Sequence, residues 1–154
     1  MISQSLKDQF IQKWHSDLNE SSKGLCYRIY KTTFSIESYL VNLPRKFRTS
    51  LIKFRTTNHH FPVEKGRWNG TPRNERLCHF CNSNKIGDEF HYLMECDSFK
   101  EQRKIFSHEN NFFIRPNTLK FNNLMSSTNY SLQKKLSIFI SEVFNFVNSQ
   151  TVPH

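Results

Sequence analysis

Three cysteines and one histidine near the middle of the chain have the types and spacing that bind a metal ion. The pattern is Cys78-x2-Cys81-x9-His91-x4-Cys96. A C-x-x-C pair places two thiolates on one tight turn, whose backbone N–H groups can donate to the sulfurs. His91 and Cys96 are five residues apart, so they face nearly the same side only where a helix begins or bends. Three sulfurs and one nitrogen favour a tetrahedral zinc ion.

The predicted site is closed, because four protein ligands leave no position for water. A closed zinc site is structural, whereas a catalytic site keeps an open position, so we expect one structural Zn²⁺. The alternative is three unrelated thiols in a reduced protein. His59 and His60 are possible substitutes for His91. Cys26 lies among apolar residues and is predicted to be a small buried side chain rather than a ligand.

The positive charge of the chain is concentrated just before these cysteines. The 154 residues carry a net charge of +9, and the stretch from Arg45 to Arg76 holds nine Lys or Arg against two Glu. Such a segment is typical of a surface that binds a polyanion, and the alternative is a solvated basic face. Trp68, which stands between Arg67 and Asn69, is a candidate for stacking on an unpaired base.

Helices are expected to position both features, since four glycines in 154 residues argue against many tight sheet turns. Apolar residues recur at helical spacing in three places. They are Leu6, Phe10, Trp14 and Leu18; Leu43, Phe47, Leu51 and Phe54; and Leu132, Leu136, Phe139, Ile140, Val143 and Val147. In the second helix Arg45, Arg48 and Arg55 are expected to point outward together. The wide apolar face of the third is either core or an interface.

We therefore predict a mainly α fold, a small helical domain with an inserted CCHC zinc knuckle. Residues 1–56 are expected to form a helical, linker-like segment that ends in a basic helix. Residues 57–106 are expected to hold a basic loop, the zinc knuckle and a following helix. Residues 107–154 are expected to form a loop and a C-terminal amphipathic helix that packs on the rest.

The order of residues KFRTTNHHFPVEKGRW…PRNERLCHFCNSNKIGDEFHYLMECDSFKEQR resembles the C-terminal region of reverse transcriptases from non-LTR retrotransposons and their domesticated relatives. In that family a basic helical stretch precedes a CCHC knuckle with an acidic residue shortly before its histidine. The matching positions here are Cys78, Cys81, Glu89, His91 and Cys96. The likeness runs from Phe10 to Lys104 and includes a helical linker before the knuckle.

The resemblance implies a tail fragment without a polymerase, because the sequence has no Asp-Asp dipeptide and no nuclease carboxylate pattern after Cys96. In the family, the knuckle and its helices are thought to hold template RNA or target DNA. The residues expected to contact nucleic acid are Arg45, Arg48, Lys53, Arg55, Arg67, Trp68, Arg73 and Arg76.

We thus expect a nucleic-acid-binding zinc module that is not an enzyme, because acidic residues are few and the metal occupies the thiols. RNA and DNA are both open as partners. The alternatives are a zinc-stabilised protein–protein interaction domain, with a partner on the C-terminal helix, and an idle relic of a transposable element. No stretch approaches the ~20 apolar residues of a membrane span, and the first residues lack the pattern of a signal peptide. Both observations predict an intracellular protein, nuclear or cytoplasmic.

Overall fold

The computed structural model of the chain describes residues 3–150, which are mainly helical, as predicted. The α-helices are α1 (Gln4–Glu20), α2 (Tyr27–Tyr30), α3 (Ser38–Asn42), α4 (Arg45–Arg55), α5 (Pro62–Trp68), α6 (Thr118–Met125) and α7 (Tyr130–Gln150). Between α5 and α6 the chain forms shorter turns. These are 3-10 turns at Arg73–Glu75, Asp97–Phe99, Gln102–Phe106 and Asn110–Phe112, and a π-helical turn at His91–Glu95.

Helices α4 and α7 form the framework of the fold and run in the same direction. Three contacts join residues 90 or 91 positions apart, in the same order along both helices. They pair Phe47 with Ser137, Ser50 with Ser141, and Phe54 with Phe144. Small serines at the contact let the two backbones approach, and the hydroxyl of Ser137 donates to the carbonyl of Phe47. The core cluster therefore takes side chains that are about 90 residues apart in the sequence.

The apolar face of α7 is core. All six residues predicted to form it are buried: Leu132, Leu136, Phe139, Ile140, Val143 and Val147. Burial of these six side chains contributes roughly 1.5–3 kcal/mol each to the stability of the fold. No other helix among the described residues buries as many apolar side chains. Of the two alternatives for this face, core is therefore confirmed and interface is excluded, while a protein partner elsewhere on the C-terminal helix stays a prediction. No helix within residues 3–150 is long and apolar enough to cross a membrane.

Arg55 is the main departure from the predicted pattern of α4. It is 1% exposed, and its guanidinium lies 4.3 Å from the ring centre of Tyr30 and 5.1 Å from that of Tyr39. It pairs with Glu37 at 3.2 Å and donates to the carbonyl of Met125. Aromatic faces, a carboxylate and a carbonyl together offset the cost of burying the charge. The prediction that Arg55 points outward with the other arginines of α4 is wrong.

The segment predicted as a basic loop contains helix α5. Pro62 suits the first turn of a helix, where its missing N–H has no intrahelical partner, and Glu64 interacts favourably with the helix N-terminus. The glycine and proline residues of this segment indicated a loop, so the helix was not predicted from the sequence. Gly66 is tolerated because the side chain of Arg76 lies directly against it, 2.5 Å from where a Cβ would stand. The helix predicted after Cys96 is also absent, and short 3-10 turns take its place.

Helix α1 has the predicted amphipathic pattern but buries none of its residues. Leu6 is 56% exposed and Phe10 is 58% exposed. Phe10 and Trp14 pack edge-on against Phe34, with ring centres 5.2 and 5.7 Å apart, and Phe34 is itself exposed. The apolar face of α1 is thus open at Leu6 and Phe10 and half-buried at Trp14 and Leu18.

We predict that Arg55→Ala lowers the free energy of unfolding by about 3 kcal/mol, because it leaves the buried carbonyl of Met125 without its donor, removes one of the two cations that pair with Glu37, and opens a cavity between Tyr30 and Tyr39. Arg45→Ala, on the exposed face of the same helix, should change it by less than about 0.5 kcal/mol. Urea unfolding followed by circular dichroism measures both. Equal effects for the two variants would contradict the placement of Arg55 in the core.

Candidate metal centre

The four residues predicted as metal ligands converge. One ligand atom from each of Cys78, Cys81, His91 and Cys96 lies within 4.8 Å of all the others. The sulfurs of Cys78 and Cys96 are 3.9 Å apart, and the Cys81 sulfur is 3.3 Å from His91 Nε2. Ligands at the corners of a tetrahedron with metal–sulfur bonds of about 2.3 Å are about 3.8 Å apart. The cluster can therefore hold one metal ion.

A short hairpin presents the first two cysteines. Leu77 and Ile86 form an antiparallel bridge, and the Cys78 N–H donates to the carbonyl of Lys85 at 2.8 Å. Asn84 turns the chain with a φ of 54°, a left-handed conformation that Asn tolerates better than most residues. The hairpin fixes Cys78 at its base and leaves Cys81 on the following turn.

A backbone N–H donates to one of the sulfurs, as predicted for a C-x-x-C turn, and a hydroxyl that was not predicted lies beside another. The Phe80 N–H donates to the sulfur of Cys78 at 3.4 Å, and the hydroxyl of Ser83 lies 3.0 Å from the sulfur of Cys81. Such hydrogen bonds favour the thiolate, which is the form that binds a metal.

A π-helical turn brings His91 and Cys96 together. In a regular α-helix, residues five apart point about 140° away from each other. Here the Cys96 N–H donates to the carbonyl of His91 at 2.8 Å, a bond that spans five residues and widens the turn. The Asp88 carboxylate accepts from the His91 N–H at 2.9 Å and caps the start of the turn. The bend that the sequence required is this wide turn.

Glu95 orients the imidazole, and the sequence analysis missed it. His91 Nδ1 lies 3.4 Å from the Glu95 carboxylate, which also pairs with Lys85 at 2.8 Å. A proton held on Nδ1 leaves Nε2 free to face the thiols. The spacing of four residues between His91 and Glu95 was the signal available in the sequence, because it places both on one helical face.

Arg103 closes the other end of the π-helical turn, donating to the carbonyls of Cys96 and Tyr92. The ring of Tyr92 is fully buried and lies 4.6 Å from the ring of Phe61 and 5.5 Å from that of Phe99, measured between ring centres. The cluster therefore rests on the aromatic core, which holds its elements in register.

Within the cluster, the thiols and the imidazole perturb one another. A hydrogen bond from Cys96 lowers the pKa of Cys78 to about 3, and the same bond, with burial, raises the pKa of Cys96. Burial acts to lower the pKa of His91, but hydrogen bonds to Cys78 and Cys81 outweigh it and raise that pKa to about 9. A metal ion would displace these protons, so its affinity falls as the pH falls.

His59 and Cys26 stand outside the cluster. His59 Nε2 lies 2.8 Å from the Glu89 carboxylate, and its Nδ1 accepts from the Phe61 N–H, so the Nε2 proton is donated to Glu89. Burial acts to raise the pKa of Glu89, and the bond from His59 outweighs it and lowers that pKa. Both side chains are buried, so His59 is not a substitute for His91. Cys26 is buried, as predicted, and burial together with the charge of Glu89 raises the pKa of its thiol. His60 is exposed outside the cluster.

The eight predicted nucleic-acid contacts have different environments. Arg45, Lys53 and Trp68 are exposed, whereas Arg48 is half-buried and donates to the carbonyl of Leu40. Arg55 is in the core, where no phosphate can reach it.

The three arginines nearest the cysteines are engaged within the protein. Arg67 donates to the Glu64 carboxylate at 2.9 Å, and Arg73 pairs with Asp88 at 3.0 Å. Arg76 donates to two backbone carbonyls. The bond to Glu64 raises the pKa of Arg67. These side chains build the scaffold, so less of the sequence's positive charge is free for a ligand than its density indicates.

Other cations, missed at the sequence level, join the exposed face of α4. Lys46 and Lys134 lie over the ring of Phe47, 4.8 and 5.2 Å from its centre. Lys134 comes from α7, so only the parallel packing of the two helices places it beside Lys46.

The chain matches no family model, no curated protein and no solved structure. The likeness to retrotransposon reverse transcriptases therefore stays a prediction from the residues. The placement of the four ligands is independent of that likeness.

We predict that Cys96→Ser and His91→Ala each abolish stoichiometric metal binding and lower the melting temperature, because three ligands cannot close the site. The matched control is Cys26→Ser, which changes a buried cysteine outside the cluster and should retain one metal ion per chain. Metal content after dialysis, measured by plasma mass spectrometry, distinguishes them. Metal retained by Cys96→Ser but lost by Cys26→Ser would show that the cluster is misassigned.

Proposed function

We propose that this chain is a nucleic-acid-binding module, organised by one structural zinc ion and without catalytic activity. It would act on RNA or DNA in the nucleus or cytoplasm, in keeping with its resemblance to the tail of retrotransposon reverse transcriptases. The observation that carries the proposal is a strip of unpaired cations, three exposed on α4 and one half-buried on α7, on the same framework that supports the metal centre.

Zinc is the metal that suits the cluster best. Three thiolates and one imidazole are soft to borderline donors, and zinc accepts tetrahedral sites of this composition. Four protein ligands close the coordination sphere, so the ion would stabilise the fold instead of activating water. It would tie the hairpin at Cys78 to the π-helical turn at His91, which is itself anchored in the core by Tyr92 and Leu93.

The cationic strip consists of Arg45, Lys46, Lys53 and Lys134. Within residues 3–150 none of the four has a carboxylate partner at ion-pair distance, unlike Arg67 and Arg73. From Arg45 to Lys53 the helix rises about 12 Å, which spans roughly three or four phosphates of one strand. Cations that are not neutralised within the protein are the ones that can release counterions from nucleic acid.

The acidic groups near the centre support a role without catalysis. Glu64 and Asp88 are bound to arginines, Glu89 to His59, and Glu95 to Lys85. A metal-dependent nuclease needs carboxylates that converge on a hard cation. These four carboxylates are each committed to a basic side chain.

The double variant Arg45→Ala/Lys53→Ala should bind nucleic acid about tenfold more weakly, and the slope of log affinity against log salt should fall by about two. Fluorescence anisotropy with labelled single- and double-stranded RNA and DNA at two salt concentrations measures this. Lys7→Ala/Lys13→Ala, which removes two exposed charges from α1, is the control and should bind as the native chain does. If the native chain binds none of the four nucleic acids at low salt, the proposal is wrong.

A second candidate function, protein–protein interaction, is supported by the open apolar face of α1. Its apolar positions are symmetric about residue 12, so that an antiparallel second copy would pair Leu6 with Leu18 and Phe10 with Trp14. The same arrangement places Lys7 opposite Asp17, which gives opposite charges beside the apolar seam. The occupant that fits this face is a second copy of the chain.

Phe10→Glu should therefore hold the protein as a monomer at concentrations where the native chain forms a dimer, because two carboxylates would meet an apolar seam. Sedimentation equilibrium over a range of concentrations tests this. Leu119→Glu, at a 67% exposed site on α6, is the control and should not change the association. A native chain that stays monomeric throughout removes this candidate.

A further inference from the structure

A groove of about 770 Å³ lies between α5, the turn that follows it, the Cys78–Cys81 turn and the end of α7. We propose that this groove receives an unpaired nucleotide, which makes single-stranded nucleic acid the preferred ligand. The inference rests on the proposed function and adds where bases bind and which form of nucleic acid is selected.

The charge of the groove suits a phosphate. Lys65 and Arg76 line it, together with His60 and His79, against Glu75 as the single carboxylate among its lining residues. Lys65 has no carboxylate within ion-pair distance in the part of the chain that the structure describes. Arg76 is fixed by bonds of 2.7 and 3.0 Å to backbone carbonyls and lies flat across Gly66. A held guanidinium and a free ammonium thus lie in one groove.

Aromatic rings border the same groove. Trp68 is 54% exposed, and its ring centre lies 5.9 Å from that of His60, which lines the groove. Phe80 also lines the groove and packs against Phe146 on α7, with ring centres 5.2 Å apart. Exposed aromatic rings beside cations are the usual surface on which unpaired bases stack.

The remaining lining groups can bind base edges. The amides of Asn69 and Gln150 and the hydroxyl of Thr71 offer both donors and acceptors, and Glu75 can accept from an exocyclic amino group. In a duplex these edges are paired and the base faces are stacked, so neither is available to the groove. A single strand offers both, and this difference is the basis of the predicted selectivity.

The metal centre determines one wall of the groove. His79 and Phe80 are the two residues between Cys78 and Cys81, and the Phe80 N–H donates to the Cys78 sulfur. The Ser98 hydroxyl donates to the Phe80 carbonyl and links this wall to the turn after Cys96. A metal ion that fixes both cysteines therefore also fixes the two groove residues between them.

The test uses Trp68 as a reporter. The chain has two tryptophans, so Trp14→Phe leaves Trp68 as the only one. In this background, oligothymidine or oligouridine should quench the tryptophan fluorescence, and a DNA duplex of the same length should not. Trp68→Ala should weaken single-strand binding about tenfold, as expected for the loss of one stacked base. Lys65→Ala and His79→Ala should each weaken it, whereas Lys7→Ala on α1 should not.

The outcomes separate this inference from the proposed function. If labelled oligonucleotides bind by anisotropy but Trp68 is not quenched and the groove variants bind normally, the groove is not the site and the nucleic-acid-binding function stands. Equal loss of single- and double-stranded binding in Trp68→Ala would overturn the selectivity. No binding of any oligonucleotide overturns both proposals. The side chains of Lys65, Trp68 and His79 all reach the surface, and circular dichroism checks that the three variants are folded.

Discussion

The structure depends on one hydrogen bond that spans five residues, from the Cys96 N–H to the His91 carbonyl. It widens the helix by one residue, and only this widening lets an imidazole and a thiolate five positions apart face one point. The hairpin at Cys78 then needs only to approach from the other side. A regular α-helix through the same residues would separate the two ligands and leave a pair of isolated thiols. The π-helical turn in turn needs its own support, which Asp88 gives at its start and Arg103 at its end.

The positive charge of the chain serves two different purposes. Arg55, Arg67, Arg73 and Arg76 are structural: each satisfies buried carboxylates or carbonyls that would otherwise be costly to desolvate. Arg48 and Lys135 are likewise engaged, with the Leu40 carbonyl and with Glu109. Among the described cations of α4, α5 and α7, those that have no such role and are available to a polyanion are Arg45, Lys46, Lys53, Lys65 and Lys134. A high density of basic residues therefore overstates the size of a binding surface, since an arginine that organises loops carries the same formal charge as one that meets a phosphate.

Amphipathic periodicity shows a similar division. Helices α1 and α7 both have strong apolar faces, yet α7 is built into the core and α1 lies open on the surface. The proposed functions follow this division. The buried face of α7 fixes the framework that holds the cationic strip, and the open face of α1 is free for a second copy. The groove at the end of α7 connects the metal centre with the proposed binding surface, because the two residues between Cys78 and Cys81 form part of its wall.

The sequence by itself determined the features that depend on local spacing. These are the mainly helical content, the apolar positions of α4 and α7, the burial of Cys26, and the four residues of the cluster, because helical period and ligand spacing are properties of neighbouring residues. The tertiary structure decided everything that depends on residues distant in the chain. Arg55 is buried because Glu37 and Met125 supply its partners. The apolar face of α7 is buried because α4 packs against it. Gly66, which indicated a loop in the sequence, lies inside α5 because the side chain of Arg76 packs against it. The physical reason is that burial and ion pairing depend on contacts between different elements. The periodicity of one helix shows that a face is apolar or charged, but it does not show which residues will pack against that face.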